Sequence, residues 1–144
     1  MESETKTKAN VKEAVPFFSV SNMEESLRFY VDGLGFEMTG KWVDDGKIRW
    51  CKIEHGGAGL MLQEFRTEGH DSWVPEGKVG EGVSIYFMCE DALEIYRDIR
   101  SRGIETSKPT VSNGCWHTCL SDPDGYRIHF ESDTDEPEDS EYAG

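Results

Sequence analysis

The sequence predicts an α+β protein built from two copies of a βαβββ module. In each copy, a short apolar run is followed by an amphipathic helix pattern and then by three strand-like segments. A shift of 69 residues places the helix start at Asn22 on the one at Asp91, and a shift of 68 places LMLQ on IHFE. This internal repeat outweighs any single-segment assignment, because each module has a sheet face that only its neighbour can cover.

Module 1 spans about residues 13–65. It begins with the apolar run AVPFFSV and continues with SNMEESLRFYVDGLGF, whose apolar residues recur at helical spacing. Ser21 or Asn22 is the candidate N-cap of this helix, and Gly35 is its predicted stop. The segments FEMTGKWV, KIRWCKIE and GLMLQEF are predicted strands, because the turn-forming stretches DDG and HGGA separate them.

Module 2 repeats this order over about residues 82–132. GVSIYFMC is a predicted strand, EDALEIYRDIRSRG an amphipathic helix that ends at Gly103, and IETSKPTV, CWHTCLS and YRIHFES are three further strands. The linker between the modules, residues 66–81, is rich in glycine and charge. The sequence therefore predicts one domain over residues 13–132.

The charge of the chain restricts its partners. The sequence has 15 Lys and Arg against 29 Asp and Glu, so its formal charge is −14. Nucleic acid and anionic membranes would be repelled, whereas a cationic ligand would be attracted. Part of the charge lies in residues 133–144, where acidic side chains stand among Ser, Thr and Pro, and this composition predicts a disordered tail.

The remaining composition predicts a cytoplasmic protein. Residues 1–12 are polar, lack the apolar core of a secretory signal, and are expected to be disordered. No apolar run approaches the roughly 20 residues that a membrane-spanning helix needs. The four cysteines are sparse for a chain of this length, so we expect reduced thiols rather than a disulfide framework.

Two phrases of the sequence resemble the vicinal oxygen chelate superfamily, which includes glyoxalase I, extradiol dioxygenases and bleomycin-resistance proteins. These phrases are FFSVSNMEESLRFYVDGLGFE and SDPDGYRIHF, and with the repeat order the resemblance covers roughly residues 13–132. It implies two βαβββ modules whose strands curl into a mixed sheet with a ligand cleft, usually in a homodimer. In the metal-dependent members, each module gives the cleft two metal ligands.

Transferred to this sequence, the family's ligand positions are Val15, Met61, Ser84 and His129. A catalytic divalent metal needs about three protein ligands from His, Cys, Asp or Glu, and among these positions only His129 qualifies. If the register in GLMLQEF slips, Gln63 still faces the same way as Met61, whereas Glu64 needs a one-residue shift that turns the apolar side chains outward. The resemblance therefore implies no metal and no other cofactor, as in the bleomycin-resistance branch.

Histidine and cysteine residues near the C-terminus allow several interpretations. His129 is interpreted as a hydrogen-bonding member of the cleft, with a surface histidine and a metal ligand as the alternatives. Cys115, His117 and Cys119 alternate and so share one face of a strand, but neighbouring same-face Cβ atoms lie about 7 Å apart, which rarely lets three such residues close on one ion. We expect His117 to face the cleft beside His129, across the SDPDGY turn.

The chain also has many aromatic residues for its size. Some must belong to the core, but rings also line clefts that hold planar ligands, and their faces attract cations. Trp73 lies among Gly, Asp and Pro in the linker, so we expect it at the cleft rim or in a dimer interface. The predicted cleft residues are Val15, Phe17, Trp50, Met61, Gln63, Trp73, Ser84, Tyr86, Trp116, His117 and His129.

Together these features predict a metal-independent, homodimeric protein that binds a small aromatic or cationic molecule and sequesters it, as antibiotic-resistance proteins of bacteria do. The alternative is an enzyme of the same superfamily, a lyase or dioxygenase. It would use either an unusual metal site around His117, His129 and Glu131 or His129 alone as an acid or base. A third possibility is a cleft that stays empty or makes protein contacts. No nucleotide-binding or serine-hydrolase motif is present.

Overall fold

The computed structural model describes residues 9–70 and 72–144. The predicted disorder of residues 1–12 falls mainly on residues 1–8, which lie outside the described residues, and residues 9–16 form no helix or strand. Within the described ranges, no helix is long and apolar enough to cross a membrane.

Module 1 forms the predicted βαβββ unit. Its helix α1 spans Met23–Leu27, and its strands are β1 (Phe17–Val20), β2 (Glu37–Asp44), β3 (Lys47–His55) and β4 (Ala58–Glu64). They form a four-stranded sheet in the order β1-β4-β3-β2. β1 pairs with β4 in parallel, and the other pairs are antiparallel.

Module 2 has the same topology. Its helix α2 spans Ala92–Ser101, and its strands are β5 (Ser84–Met88), β6 (Thr110–Ser112), β7 (Cys115–Ser121) and β8 (Arg127–Asp133). The sheet order is β5-β8-β7-β6, with β5 parallel to β8. β6 is shorter than the predicted strand IETSKPTV because Pro109 lacks an N–H for the sheet ladder and therefore stands before the strand.

The strand register confirms the internal repeat. Phe17 lies opposite Met61 in module 1, and the positions 69 and 68 residues later, Tyr86 and His129, lie opposite each other in module 2. The fold is therefore two open four-stranded mixed sheets with one helix each, as the sequence predicts.

The first helix begins as predicted but changes its winding. The Asn22 side chain caps α1 by accepting a hydrogen bond from the Glu25 N–H. After Leu27 the chain continues as a π-helix over Arg28–Gly33, and it stops at Gly35, whose φ of 84° is left-handed. A Cβ at Gly33 would lie on the Ile104 side chain, which would have to shift, so glycine here allows the close approach of the two modules.

The two modules share one hydrophobic core. One face of each sheet turns toward it, with Phe18, Leu60 and Leu62 from module 1 and Ile128 and Phe130 from module 2. Burial of these side chains is the main stabilising contribution of the interface between the modules.

The turn between β7 and β8 ties the modules together. The Asp122 carboxylate accepts hydrogen bonds from the Tyr30 hydroxyl at 2.7 Å and from the backbone N–H groups of Asp124 and Tyr126. The Asp124 carboxylate accepts from the Ser21 N–H. Burial raises the pKa of Asp122 above its ordinary value, although its hydrogen bonds, the one from Tyr30 first, oppose this rise. The SDPDG signature thus contributes a buried polar bridge.

The acidic C-terminal segment is packed along the edge of module 2, where the sequence analysis expects a disordered tail. The Val111 N–H donates to the Ser140 carbonyl, the Asp139 N–H donates to the Val111 carbonyl, and the Tyr142 N–H donates to the Pro109 carbonyl. The physical reason is that β6 is an edge strand whose backbone groups need partners. Composition alone does not reveal that partnership.

Candidate functional site

Each sheet has an outer face that points away from the shared core. Side chains alternate along a strand, so the neighbours of buried residues point outward. We call the outward residues Phe17, Ser19, Trp42, Trp50, Lys52, Met61 and Gln63 the module 1 face. We call Ser84, Tyr86, Met88, Cys115, His117, Cys119, Arg127, His129 and Glu131 the module 2 face.

The module 1 face is aromatic. Register places Ser19, Gln63, Trp50 and Trp42 in one row across the four strands. Beside this row lies a cavity of about 400 Å³ whose lining includes Trp42, Gln63 and Trp73. Trp73 therefore lies at the rim of the predicted site.

Trp73 is held there by local contacts. The Trp73 ring meets the Phe65 ring edge to face at a centroid distance of 5.5 Å, and the Trp73 backbone N–H donates to the Arg66 carbonyl at 2.7 Å. Arg66 pairs in turn with the Asp44 carboxylate at 3.0 Å. The linker thus closes one side of the cavity with an aromatic ring and an ion pair.

Two histidines meet on the module 2 face. His117 Nε2 lies 2.8 Å from His129 Nδ1, which is hydrogen-bond distance. The Tyr86 ring stacks on the His129 ring with a centroid distance of 4.1 Å and an interplanar angle of 5°. The structure therefore brings together the predicted residues Tyr86, His117 and His129.

The environment of His129 disfavours its protonated form. His129 is only 8% exposed, and this burial is the main reason why its pKa is lowered. The charges of His117 and Arg127 lower the pKa further. Within the described residues, His129 Nε2 is buried without a hydrogen-bond partner. The ring's hydrogen-bonding capacity is therefore not exhausted by neighbouring side chains.

The cysteines of β7 separate into two environments. Cys119 lies directly opposite His129, and its Sγ and the two histidine nitrogens all lie within 4.8 Å of one another. Cys115 contacts the Asp133 carboxylate instead, at 3.6 Å. The sequence argument was that three same-face residues of one strand rarely close on one ion, and Cys115 indeed lies outside this cluster. The argument overlooked that β8 supplies the third side chain.

The family's four ligand positions do not fit a divalent catalytic metal. Val15 before β1, Met61 opposite Phe17 and Ser84 opposite Arg127 are not His, Cys, Asp or Glu, so none of the three is a suitable ligand for such an ion. His129 is the remaining position, and a single imidazole is too few for such an ion.

Glu64, the alternative first-module ligand, points elsewhere. Its carboxylate accepts from the Met23 N–H at 2.9 Å and pairs with Arg49 at 2.7 Å. It thereby joins β4 to the start of α1. Met61 is therefore the repeat counterpart of His129, as the unshifted register predicts.

Trp116 does not lie with the other predicted cleft residues. It precedes His117 on β7 and so points to the opposite side of the sheet, where its ring lies 6.2 Å from that of Tyr142. The prediction failed here because the partner ring comes from the tail, which was expected to be disordered.

Sequence reasoning missed Trp42 and Arg127, and it weighed Cys119 only against residues of its own strand. Trp42 is not among the predicted cleft residues. For Cys119 a signal existed, because counting outward from Asp124 in the turn places Cys119 opposite His129. The hairpin register, applied to CWHTCLS and YRIHFES, would have found this pair.

Another cavity lies apart from these residues. It has a volume of about 560 Å³ and lies between the β3–β4 turn and the end of β5, where Phe36, Phe87 and Phe130 line it. None of the predicted cleft residues contributes to its lining.

Comparison with known proteins identifies the family of this architecture. The family model for the Glyoxalase/Bleomycin resistance protein/Dioxygenase superfamily matches residues 14–130. No curated protein sequence matches the chain at a significant level.

Solved structures share the fold at low sequence identity. TioX from Micromonospora sp. ML1 has a TM-score of 0.67 at 16% identity, over 85% of this chain and 99% of that one. TnmS3, an antibiotic binding protein from Streptomyces sp. CB03234, has a TM-score of 0.63 at 21% identity, over 88% and 100%. A glyoxalase-related enzyme from Clostridium phytofermentans has a TM-score of 0.67 at 15% identity, over 89% and 99%. These likenesses concern the fold.

Proposed function

The chain belongs to the Glyoxalase/Bleomycin resistance protein/Dioxygenase superfamily, and on that premise we propose that it binds a small planar aromatic or cationic molecule and sequesters it without metal catalysis. The observation that carries this proposal is the exposure of large rings on the outer faces of both sheets. Phe17 is 51% exposed, Trp42 52%, Trp73 48% and Tyr86 53%.

Exposed aromatic side chains at such density are typical of an interaction surface. Burying them against a ligand removes apolar surface from water, and stacked rings contribute about 0.5–1.5 kcal/mol beyond that burial. The cavity beside Trp42 and Trp73 also offers the Gln63 side chain, whose amide can orient a bound molecule through hydrogen bonds. This combination suits a flat ligand with a few polar groups.

The charge of the chain favours a cationic ligand. The formal charge is −14, and the packed tail brings Glu138, Asp139 and Glu141 to the edge of module 2 instead of dispersing them in solvent. A cation is attracted by this field and by the faces of the exposed rings. The same field argues against nucleic acid and anionic membranes as partners.

The relatives are compatible with this proposal. TnmS3 is an antibiotic binding protein of the same fold, so the fold can hold a drug-sized molecule. By analogy, we place this chain with the bleomycin-resistance branch, where binding itself is the function.

We also propose that the protein acts as a cytoplasmic homodimer. No aromatic contact among the described residues joins the module 1 face to the module 2 face. Within one chain, neither face therefore covers the other. A second copy would cover Met88 and Phe17, which are both exposed. The four cysteines form no disulfide in the structure, which is compatible with a reducing compartment. Light scattering at micromolar concentration tests the dimer, and a monomer mass contradicts it.

One observation favours an enzyme as the alternative function. His117 and His129 are in hydrogen-bond contact at 2.8 Å, and a histidine pair can move a proton during lyase chemistry. A glyoxalase-related enzyme also shares the fold. Turnover of a glutathione adduct or a catechol by the purified protein would favour this alternative.

Calorimetric titration tests the binding proposal. Chelator-treated protein is titrated with planar aromatic cations, with cationic glycopeptides, and with neutral aromatics of matched ring size. We expect the planar cations to bind with dissociation constants on the order of micromolar and the neutral controls to bind more weakly. If no compound binds below millimolar concentration, the proposal fails.

A further inference from the structure

The side chains of His117, Cys119 and His129 converge on one point of the module 2 face. The Cys119 Sγ and one nitrogen of each histidine lie within 4.8 Å of one another. We propose that these three residues form a binding site for a zinc-class transition metal ion with one coordination position left open. This site goes beyond the proposed binding function, which requires no metal.

The hairpin register creates the convergence. His117 and Cys119 are two residues apart on β7 and share a face, while His129 on β8 lies directly opposite Cys119 and diagonally opposite His117. The three Cα positions therefore form a triangle rather than a line. This arrangement removes the distance problem that three residues of a single strand would have.

The separations are close to those of a zinc complex. With Zn–N bonds of about 2.0–2.1 Å and a Zn–S bond of about 2.3 Å, tetrahedral geometry gives about 3.3 Å between nitrogens and 3.6 Å between nitrogen and sulfur. The two histidine nitrogens are 2.8 Å apart, so they must separate slightly, and the sulfur must approach. Side-chain shifts on the order of 1 Å accomplish both changes.

The ligand set selects the class of metal. Thiolate and imidazole ligands suit zinc, cobalt and copper, whereas magnesium and calcium require oxygen ligands, which this cluster does not offer. Two histidines and one cysteine leave the fourth tetrahedral position for water or another small ligand. His117 and Cys119 are half-buried, so that position is open to solvent.

Charged neighbours support a bound thiolate. The Arg127 Nη2 lies 3.1 Å from the Cys119 Sγ, where it donates to the sulfur and can keep donating when the sulfur binds a metal. The positive charge of Arg127 repels a bound metal cation. The negative charge of Glu131 offsets this repulsion, because the Glu131 carboxylate lies on the same face of β8, directly opposite His117.

This cluster differs from the metal centre that the superfamily implies. That centre would use Val15, Met61, Ser84 and His129, three of which offer no suitable ligand. The proposed site shares only His129 with it and takes both other ligands from β7. It therefore does not reproduce the metal centre of the metal-dependent members.

Cobalt titration tests the site. Chelator-treated, reduced protein is titrated with Co²⁺ while thiolate-to-cobalt charge-transfer absorption is recorded, and Zn²⁺ is then added as the competitor. We expect one cobalt per chain, a charge-transfer band from one thiolate, and full displacement by zinc. Cys119→Ser should abolish the band, and His117→Gln should weaken cobalt binding at least about tenfold.

The matched control is Cys115→Ser, which removes another half-buried thiol from the same face of the same strand. It should leave stoichiometry and band unchanged, because Cys115 contacts Asp133 instead of the cluster. The proposal is overturned if no band forms, if the band survives Cys119→Ser, or if Cys115→Ser abolishes it. Should Cys119→Ser fail to fold, the His117→Gln result decides alone, and unchanged cobalt affinity there overturns the site.

Discussion

The two outer faces occupy equivalent positions in the repeat but have different chemistry. Phe17 opposite Met61 in module 1 corresponds to Tyr86 opposite His129 in module 2. Around the first pair the face carries Trp42, Trp50 and the neighbouring Trp73, whereas around the second it carries His117, Cys119 and Glu131. The repeat thus determines where side chains point, and substitutions within each copy determine what those side chains can bind.

The turns of the two modules differ in a similar way. The β3–β4 turn of module 1 is Gly56-Gly57, whereas the β7–β8 turn of module 2 contributes Asp122 and Asp124 to the shared core. The first turn only reverses the chain. The second also anchors one module on the other.

The largest stability effect should come from breaking that anchor. Tyr30→Phe leaves the buried Asp122 carboxylate without its side-chain donor, and we expect a loss of about 2 kcal/mol in the free energy of unfolding at pH 7. Urea denaturation measures this loss. Tyr86→Phe is the control, because that ring is exposed and its change should cost less than about 0.5 kcal/mol.

The same variant should show a pH dependence of definite sign. The pKa of Asp122 is already raised by burial, and removing the Tyr30 hydrogen bond raises it further. Because the pKa of Asp122 is higher in the folded state, the stability that this carboxyl contributes is fully present below its pKa in the unfolded chain, about 3.8. This contribution is lost as the pH rises through the pKa of the folded state. The destabilisation by Tyr30→Phe should therefore be smaller near pH 4 than at pH 7, and an equal loss at both pH values would refute the assignment.

The packed tail should contribute the next largest effect. Tyr142→Ala removes the ring that lies between Tyr96 and Trp116, and we expect a loss of roughly 1.5–2 kcal/mol from the lost burial and ring contacts. Thermal or urea unfolding measures it. Tyr142→Phe keeps the ring and loses only the exposed hydrogen bond to Arg97, so a small change is expected. A disordered tail would make both variants neutral.

A smaller effect is expected when the module 1 face loses a ring. Trp73→Ala should weaken the binding of a planar cation by about 1 kcal/mol, because one stacking or edge contact is lost. Calorimetric titration measures this change. Val74→Ala, an exposed neighbour outside the cavity, is the matched control and should leave affinity unchanged.

A change of similar or smaller size is expected on the module 2 face. His129→Ala should weaken the same probe by at most about 1 kcal/mol if one hydrogen bond to the ligand is lost. Calorimetry on metal-free protein measures it, with unfolding curves to confirm that the variant is folded. No change at His129 together with a clear change at Trp73 would assign the ligand to module 1 alone.

Sequence reasoning predicted most of the fold because periodicity and capping are local signals. The side chains of Asn22 and Asp91 accept hydrogen bonds from backbone N–H groups in the first turns of the two helices. The repeat offsets match the strand register. It failed for the tail and for Trp116, because their contact is between residues distant in the chain and involves a segment whose charge suggested disorder. Cys119 and His129 meet through hairpin register, which the pattern of one strand does not contain.

Tryptophan fluorescence tests the central proposal, an aromatic binding face on module 1, most directly. Trp42, Trp50 and Trp73 belong to that face or its cavity, whereas Trp116 packs against Tyr142 on the opposite side of the other sheet. Chelator-treated Trp116→Phe protein is titrated with a planar aromatic cation that quenches indole emission. The proposal predicts saturable quenching at micromolar probe, as in the wild type, and a weakened response after Trp73→Ala is added. Quenching that disappears with Trp116→Phe, or that never saturates, would contradict it.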